Sequence, residues 1–342
     1  MPALIEQLAA LTGLRDRDAL DAGLVAAVAD LTHARRVAVH RVVGDDGAQR
    51  WLTRAQRGEA GTTPSLASLW SDSQDQPTLD EQPAWRDCLR LGQMRPWHAA
   101  DRLSLFPLPG QGRQGGVVEV VSDRALTPNQ IRGVQAILAL VRNQLGLLDY
   151  SERDTLTGLL NRKSFDDSFY KVAALPALEL LPEGQAERRQ STVARYWLAV
   201  LDIDHFKQVN DGFGHIIGDE VLLMVSQLMC SSFRYYDQLY RFGGEEFVVL
   251  LRCAAEDEAQ LAFDRFRQRV SSHAFPQVRH LTLSIGFTDV RPGDTPVAAV
   301  ERADKAVYFA KNHGRNQVRC AEALVRQGLL IDDDKASDVE FF

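Results

Sequence analysis

The strongest constraint on the fold is the order of strand and helix patterns in the second half of the chain. The run RFGGEEFVVL (241–250) places two glycines, which tolerate positive φ in a tight turn, before an apolar strand. Further buried strands are predicted at 196–203 (YWLAVLDI) and 281–288 (LTLSIGFT). Helical patterns separate and flank these strands at 161–173, 218–233, 256–272 and 296–313. One antiparallel hairpin among alternating elements predicts an α/β (α+β) fold, with a mixed sheet covered by helices in the manner of ferredoxin-like folds.

Length and charge limit the function classes. The 342 residues are enough for two domains, and a net charge of −7 argues against a surface that coats nucleic acid. The four cysteines lie far apart without CxxC spacing, which speaks against a disulfide framework or a zinc site. The chain has no run of eighteen apolar residues and no signal-peptide pattern at its start. We therefore expect a cytoplasmic protein that binds neither membrane nor nucleic acid.

The first 128 residues have the pattern of a separate α/β domain. They contain an amphipathic helix at 17–32, strand-like runs at 36–43 and 115–121, and a polar stretch at 60–82 that is typical of a long loop.

A helical linker is predicted at 129–154. Its apolar residues alternate three and four positions apart, at Ile131, Val134, Leu138, Val141, Leu145 and Leu148. This spacing predicts a coiled-coil seam between two copies of the chain, although a terminal helix packed on its own domain has a similar pattern. Beyond the domain predicted at 155–322 follows a tail at 323–342, acidic in its last residues, and residues 174–195 form a polar insertion.

Two carboxylates are predicted at neighbouring strand ends. Asp202 ends the strand WLAVL, and Glu245 opens the strand that returns from the glycine turn. Such a pair is a hard oxygen site suited to Mg²⁺, which takes the rest of its ligands from water and phosphate oxygens. Taken alone, an aspartate at a strand end is more often a turn or cap residue.

Nucleotide-binding groups follow the same strand. Asn210 and Asp219 have the donors and acceptors that select the Watson–Crick edge of guanine, although Asn210 also suits a turn and Asp219 a helix cap. Lys311 and Arg315 are cations suited to a triphosphate, and they equally suit the end of a helix. Because the chain lacks GxxxxGK[ST], a P-loop enzyme is not expected.

These residues carry a resemblance to a known family. RFGGEEF resembles the signature of the GGDEF family, the diguanylate cyclases, in its GGEEF variant. Five further motifs stand in the family's order: DTLTGLLNR (154–162), LDIDHFKQVND (201–211), FGHIIGDEVL (213–222), SIGFT (284–288) and AKNHGRN (310–316). The resemblance implies a GGDEF domain with a nucleotidyl-cyclase sheet. It also implies the condensation of two GTP into cyclic di-GMP by a homodimer, with two Mg²⁺ ions per site, or Mn²⁺ in their place.

The resemblance also implies residue roles. The metal ligands would be Asp202, the carbonyl of Ile203, and Glu245. The catalytic residues would be Glu245, Glu246 and Lys207, of which Glu246 is a candidate general base. The substrate would contact Asn210, Asp219, Phe206, His215, Gly243, Gly244, Lys311 and Arg315.

Two regulatory features are implied in the same way. RYYD resembles the family's inhibitory RxxD motif, so Arg234 and Asp237, with Arg265 as a secondary contact, would bind the cyclic di-GMP product. The N-terminal domain is similar in topology to GAF domains and would act as a sensor. The rival interpretation is an inactive GGDEF module that serves as a receptor for GTP or cyclic di-GMP.

Overall fold

The computed structural model describes residues 2–44, 47–58, 61–64, 76–108, 110, 115–173 and 195–331. The chain divides into two units, Met1–Ser151 and Glu152–Phe342. The predicted insertion, apart from residue 195, and the tail from residue 332 lie outside the described residues. Within the described part, no helix is both long enough and apolar enough to span a membrane.

The first unit is built on a six-stranded sheet. Its strands are β1 (Arg36–Val43), β2 (Arg50–Gly58), β3 (Gly61–Pro64), β4 (Arg95–His98), β5 (Leu103–Leu108) and β6 (Gly116–Val121). They lie in the order β3-β2-β1-β6-β5-β4, and all neighbours are antiparallel. The strands predicted at 36–43 and 115–121 are confirmed. The predicted loop at 60–82 is wrong at 61–64, where β-branched threonines join the sheet edge beside β2.

Helices cover both faces of this sheet. They are α1 (Pro2–Gly13), α2 (Arg17–Thr32), α3 (Pro83–Leu91) and α4 (Pro128–Glu152). Asp16 caps α2 by accepting hydrogen bonds from the backbone N–H groups of Asp18 and Ala19. Helices α1, α2 and α4 share an apolar core with one sheet face, while α3 packs on the opposite face through Cys88. The similarity of this unit to GAF domains stays a prediction.

Helix α4 corrects the predicted coiled coil. The seam residues Val134, Leu138, Val141 and Leu148 are buried in the core of the first unit, and Ile131 and Leu145 pack against it. The apolar stripe of α4 therefore packs on its own domain, which was the alternative interpretation of the sequence. A helix laid on a sheet and a helix facing its twin both need an apolar stripe at nearly the same spacing, so the pattern does not distinguish them. The outer side of α4 instead exposes Leu147 and Tyr150.

The second unit is built on a mixed sheet, as predicted. Its strands are β7 (Leu160–Asn161), β8 (Arg195–Ile203), β9 (Gln238–Gly243), β10 (Glu246–Cys253), β11 (Leu283–Asp289) and β12 (Val318–Cys320). They lie in the order β12-β11-β8-β10-β9-β7, with parallel pairs only at the two edges of the described sheet. The central order β11-β8-β10-β9 is that of a ferredoxin-like βαββαβ unit.

Helices also cover both faces of this second sheet. They are α5 (Arg162–Ala173), α6 (Phe206–Phe213), α7 (His215–Ser232), α8 (Glu256–Ser272), α9 (Pro296–Asn312) and α10 (Ala321–Arg326). Helices α7 and α8 pack on the face that carries Leu201, and α5 and α9 pack on the face that carries Val200. The predicted tail is wrong in its first residues, because α10 extends to residue 326 and Leu324 is buried.

A close contact sets the position of α9 on the sheet. A Cβ atom at Gly286 of β11 would lie 2.2 Å from the carbonyl oxygen of Ala303 and 2.4 Å from the backbone nitrogen of Val307. Only glycine leaves room for this approach of helix and strand. The last turn of α9, which carries Lys311, is thereby held near the end of the central strand β8, with which α9 is also in contact.

Candidate active site

The predicted carboxylates meet at one end of the central strands. Asp202 is the second-to-last residue of β8, and it lies directly opposite Glu246 of β10 and Ser284 of β11. Glu245 occupies the turn just before β10. Asp202 is 7% exposed, Glu245 is half-buried and Glu246 is exposed. The antiparallel register thus gathers three carboxylates at a single rim of the sheet.

Electrostatics at this rim are strongly perturbed. The pKa of Asp202 is raised to about 6, mainly because the carboxyl is buried, with smaller contributions from the nearby charges of Glu245 and Glu246. Lys311 opposes this rise, because its Nζ lies 2.7 Å from Oδ2 of Asp202. The two side chains of this ion pair are 34% and 10% exposed. A carboxyl group whose pKa is shifted by burial and by neighbouring charges is typical of functional sites.

The rim suits a hard divalent cation. The oxygen groups that could hold such a cation are the predicted ligands, namely the carboxylates of Asp202 and Glu245 and the backbone carbonyl of Ile203, whose side chain is buried in the core. No group of three or more histidine, cysteine, aspartate or glutamate side chains among the described residues is arranged to hold a metal. Two carboxylates and a carbonyl match Mg²⁺, which keeps several waters and uses phosphate oxygens from its substrate. The residues present therefore fit the predicted ion.

Backbone N–H groups are available beside the carboxylates. His205 precedes α6 in the left-handed conformation, with φ of 61°. The N–H groups of residues 205–207 donate to no atom of the described chain. The side chain of Phe206 is buried in the core, so its possible contact with a ligand is through the backbone, whereas Lys207 is exposed. Free N–H groups at a helix start are suited to phosphate oxygens.

The predicted guanine-binding residues lie on two consecutive helices. Asn210 lies within α6 and the exposed Asp219 lies in the second turn of α7, so neither the predicted turn nor the predicted cap accounts for them. A Cβ atom at Gly218 would lie 2.0 Å from Oδ1 of Asn210. Gly218 therefore leaves the space in which the Asn210 amide is held. His215 is exposed at the start of α7.

The glycine turn is held by residues that sequence reasoning missed. Gly243 and Gly244 have φ of 144° and 51°, as a tight turn requires. Arg241 donates to the carbonyl of Gly244 and forms a 3.0 Å ion pair with Asp154. Burial alone would raise the pKa of Asp154, but hydrogen bonds from Thr157 and Arg241 outweigh it and lower the pKa. The sequence signal for this pair was that Arg241 and Asp154 are the first residues of the motifs RFGGEEF and DTLTG.

Asp204 is a second residue that sequence reasoning missed. It is 4% exposed and accepts hydrogen bonds from the hydroxyls of Thr282 and Ser284 and from the backbone N–H of Asn316. It thus ties the end of β8 to β11 and to the segment after α9. Its only sequence signal was its place as the last letter of LDID.

Arg315 lies in the segment that Asp204 holds. It adopts the left-handed conformation with φ of 57° just after Gly314, and its side chain is exposed. Its backbone N–H donates to the carbonyl of Ala310, which closes the end of α9. The structure therefore brings Lys311 to the carboxylates and leaves Arg315 at the surface beyond them.

The RYYD turn lies at the start of β9. Asp237 is 5% exposed, and its two carboxylate oxygens accept from the backbone N–H groups of Arg234 and Arg252. The guanidinium of Arg234 packs over the ring of Tyr236, and that of Arg265 on α8 donates to the carbonyl of Ser232 beside the turn. The structure thus brings both arginines to one turn, while the carboxylate of Asp237 holds that turn.

Comparisons with known proteins match the second half of the chain to a known family. Residues 151–317 match the family model described as "Diguanylate cyclase, GGDEF domain". The chain is 35% identical over 170 residues to the diguanylate cyclase DgcZ of Escherichia coli, covering 49% of this chain and 52% of that protein. It is 38% identical over 191 residues to the response regulator PleD of Caulobacter vibrioides, covering 52% of this chain and 38% of that protein.

One solved structure is also similar to this chain over half of its length. The GGDEF domain of DgcB from Caulobacter crescentus, solved in complex with c-di-GMP, is 34% identical. The match covers 50% of this chain and 94% of that one, with a TM-score of 0.43. The chain spans about half, or less, of the length of these curated relatives.

Proposed function

The chain belongs to the GGDEF family of diguanylate cyclases through residues 151–317, and we propose that it condenses two GTP into cyclic di-GMP and two pyrophosphates. The observation that carries this proposal is the gathering of Asp202, Glu245 and Glu246 at one sheet rim, beside backbone N–H groups that have no partner in the described part of the chain. Such an enzyme works where GTP is present, so the proposal includes a cytoplasmic location.

Substrate binding in this proposal uses two sets of groups. The Asn210 amide and the Asp219 carboxylate would hydrogen-bond the Watson–Crick edge of guanine. The N–H groups of residues 205–207, with Lys311 and Arg315, would hold the triphosphate. The support lies in their placement, since α6 and α7 carry the first set and the rim of the sheet carries the second.

Asp202, Glu245 and the carbonyl of Ile203 would hold the divalent ions, Mg²⁺ or Mn²⁺. Bound there, such ions would make the ribose 3′-hydroxyl more acidic and offset charge on the leaving pyrophosphate. Of the chain's own acids at this rim, Asp202 is buried, Glu245 is half-buried and Glu246 is exposed.

The proposed reaction consists of two identical steps. The 3′-oxygen of one GTP forms a bond to the α-phosphorus of the other, the α–β phosphoanhydride bond breaks, and pyrophosphate leaves. Glu246, exposed and directly opposite Asp202, would accept the hydroxyl proton. The second step repeats the first with the roles of the two nucleotides exchanged.

The product's two-fold symmetry calls for two domains face to face, so the proposal includes a homodimer. Because the predicted seam is buried within one chain, we place the dimer contact on the outer side of α4. Leu147 and Tyr150 are 60% and 78% exposed there. The N-terminal unit, which contributes α4, would act on the cyclase domain through this helix.

Product inhibition completes the proposal. Arg234 and Arg265 would bind a guanine base of cyclic di-GMP, with their guanidinium groups close to the same exposed turn. Asp237 would support this site by holding the turn in shape.

Incubation of the full chain with GTP and Mg²⁺, followed by chromatographic separation of the nucleotides, tests the proposal. Wild type is expected to form cyclic di-GMP and pyrophosphate in a 1:2 ratio, and Glu245→Gln should reduce the rate at least about a hundredfold. The matched control Asp257→Asn, an exposed acid of α8, should keep full activity. GTP binding without turnover in wild type would instead favour the receptor alternative.

A further inference from the structure

Lys311 occupies a place that the sequence assigns to another cation. Its ammonium was expected on a triphosphate, yet it lies 2.7 Å from the carboxylate of Asp202, the first of the predicted metal ligands. Among the described residues, Asp202 forms no other ion pair. The ammonium therefore supplies the positive charge at the point where a divalent ion would bind.

Physical chemistry explains why a cation belongs there in the unloaded protein. Asp202 is buried, and Glu245 and Glu246 lie close enough for their charges to act on it. A buried carboxylate beside two others is costly unless a positive charge compensates it. A lysine can provide that charge reversibly, because its ammonium sits on a long flexible stem.

The surroundings allow the ammonium to move while the helix stays fixed. The close approach at Gly286 fixes α9 against β11, and the side chain of Gln317 donates to the carbonyls of Ala310 and His313 at the end of the helix. By contrast, about a third of the Lys311 side chain is exposed. The N–H groups of residues 205–207, which have no partner among the described residues, directly follow the strand that carries Asp202, so a triphosphate bound there would lie beside the carboxylate that Lys311 contacts.

We propose that Lys311 is the resident counter-ion of Asp202, and that it leaves this carboxylate for the triphosphate when GTP binds. This inference rests on the proposed function, since it takes Asp202 as a metal ligand. The divalent ion and the nucleotide then bind cooperatively. Without nucleotide, the ion must displace the ammonium of Lys311 from Asp202, and the ammonium loses its ion pair. The triphosphate of the nucleotide gives Lys311 another anion to pair with, so Lys311 no longer competes with the metal ion for Asp202.

The proposal predicts effects of opposite sign on the two ligands. Loss of the Lys311 charge should tighten binding of the metal alone and weaken binding of the nucleotide alone. A lysine that only contacted phosphate would weaken nucleotide binding and leave metal binding nearly unchanged. Removing any nearby cation tightens metal binding slightly, so the test needs a charge-matched control.

The test titrates the full chain with Mn²⁺ in the absence of nucleotide and measures free Mn²⁺ by electron paramagnetic resonance. Lys311→Met should bind Mn²⁺ about tenfold more tightly than wild type, as expected for removal of a like charge in direct contact with a ligand. Lys305→Met, which removes an exposed lysine from the same helix, should change the affinity less than about twofold, because solvent and salt screen its charge. Lys311→Arg keeps a cation on Asp202 and should bind Mn²⁺ as weakly as wild type.

A second measurement follows a non-hydrolysable GTP analogue in EDTA by calorimetry. Lys311→Met should bind it at least about fivefold more weakly than wild type. Circular dichroism melting checks that each variant is folded, and Lys311→Gln replaces Lys311→Met if the latter is not. Metal affinity that is unchanged or weaker in both neutral variants would overturn the proposal, and so would an equal change in Lys305→Met.

Failure of this inference is distinguishable from failure of the proposed function. Turnover of GTP by wild type, with no tightening of Mn²⁺ binding in the neutral Lys311 variants, removes the counter-ion role and keeps the cyclase. Tightened Mn²⁺ binding without any turnover of GTP keeps the competition between Lys311 and metal and removes the cyclase.

Discussion

Replacing Asp202 by asparagine is expected to stabilise the second unit at neutral pH while removing metal binding. The reason is the raised pKa of the carboxyl, which moves from 3.8 to about 6, mainly through burial and also through the charges of Glu245 and Glu246. At about 1.36 kcal/mol for each pKa unit, the ionised group costs the folded state about 3 kcal/mol. Asparagine keeps a similar shape and carries no charge, so most of this cost should disappear.

The sign of the pH dependence follows from the direction of the shift. Because the folded pKa lies above the unfolded value, the stability that the protonated group contributes is complete below about pH 4. It is lost as the pH rises through about 6. The stability advantage of Asp202→Asn should therefore be about 3 kcal/mol at pH 8 and only about 1 kcal/mol at pH 4.5.

The assay is urea unfolding in EDTA, followed by amide hydrogen exchange in β8 and β10 so that the second unit is measured separately. Asp211→Asn, which removes an exposed carboxylate from the nearby α6, should change the unfolding free energy by less than about 0.5 kcal/mol. Added Mn²⁺ should raise the stability of wild type and leave Asp202→Asn unchanged. An Asp202→Asn protein that is no more stable than wild type at pH 8 would refute the reasoning, as would an advantage independent of pH.

Three further changes probe the guanine site, the inhibitory turn and the dimer contact. Gly218→Ala should raise KM for GTP about tenfold, because the new Cβ would lie 2.0 Å from Oδ1 of Asn210. The control Gly212→Ala, which has open space around it, should leave KM unchanged. Steady-state kinetics measures both values. Equal KM values for both variants would contradict the steric argument. Arg234→Ala should raise the cyclic di-GMP concentration that halves activity by at least about tenfold. An unchanged inhibition curve would remove that site. Cysteine at Leu147 should form a disulfide-linked dimer on gels, while cysteine at the buried Leu138 should not; the reverse pattern would restore the original seam.

The main features of the second unit could be predicted from the sequence. Alternating strand and helix patterns predicted its mixed sheet, and the position of Asp202 at the end of an apolar run placed it at a strand end. The two glycines predicted the turn that brings Glu245 and Glu246 back beside it. Each of these predictions depends on local preferences, namely side-chain period and turn chemistry, which a few neighbouring residues determine.

The first unit shows where this reasoning failed. The spacing of Val134, Leu138 and Val141 correctly predicted an amphipathic helix but assigned the wrong partner to its apolar stripe. Burial against the same chain and burial against a second chain remove the same apolar surface from water. The apolar residues of this seam therefore predict that one side of α4 is buried, but they do not predict which surface covers it.

Side-chain partners at the site had the same ambiguity. The letters of the sequence supplied the carboxylates, the cations and the glycine turn, and they located each on its helix, strand or loop. They did not pair Lys311 with Asp202, turn Asp237 inward, or join Asp204 to the segment after α9. These pairings link residues from 15 to 112 positions apart. They exist because the tertiary packing brings groups that are distant in sequence within hydrogen-bonding range. Local propensity depends only on neighbouring residues, so it cannot predict such pairs.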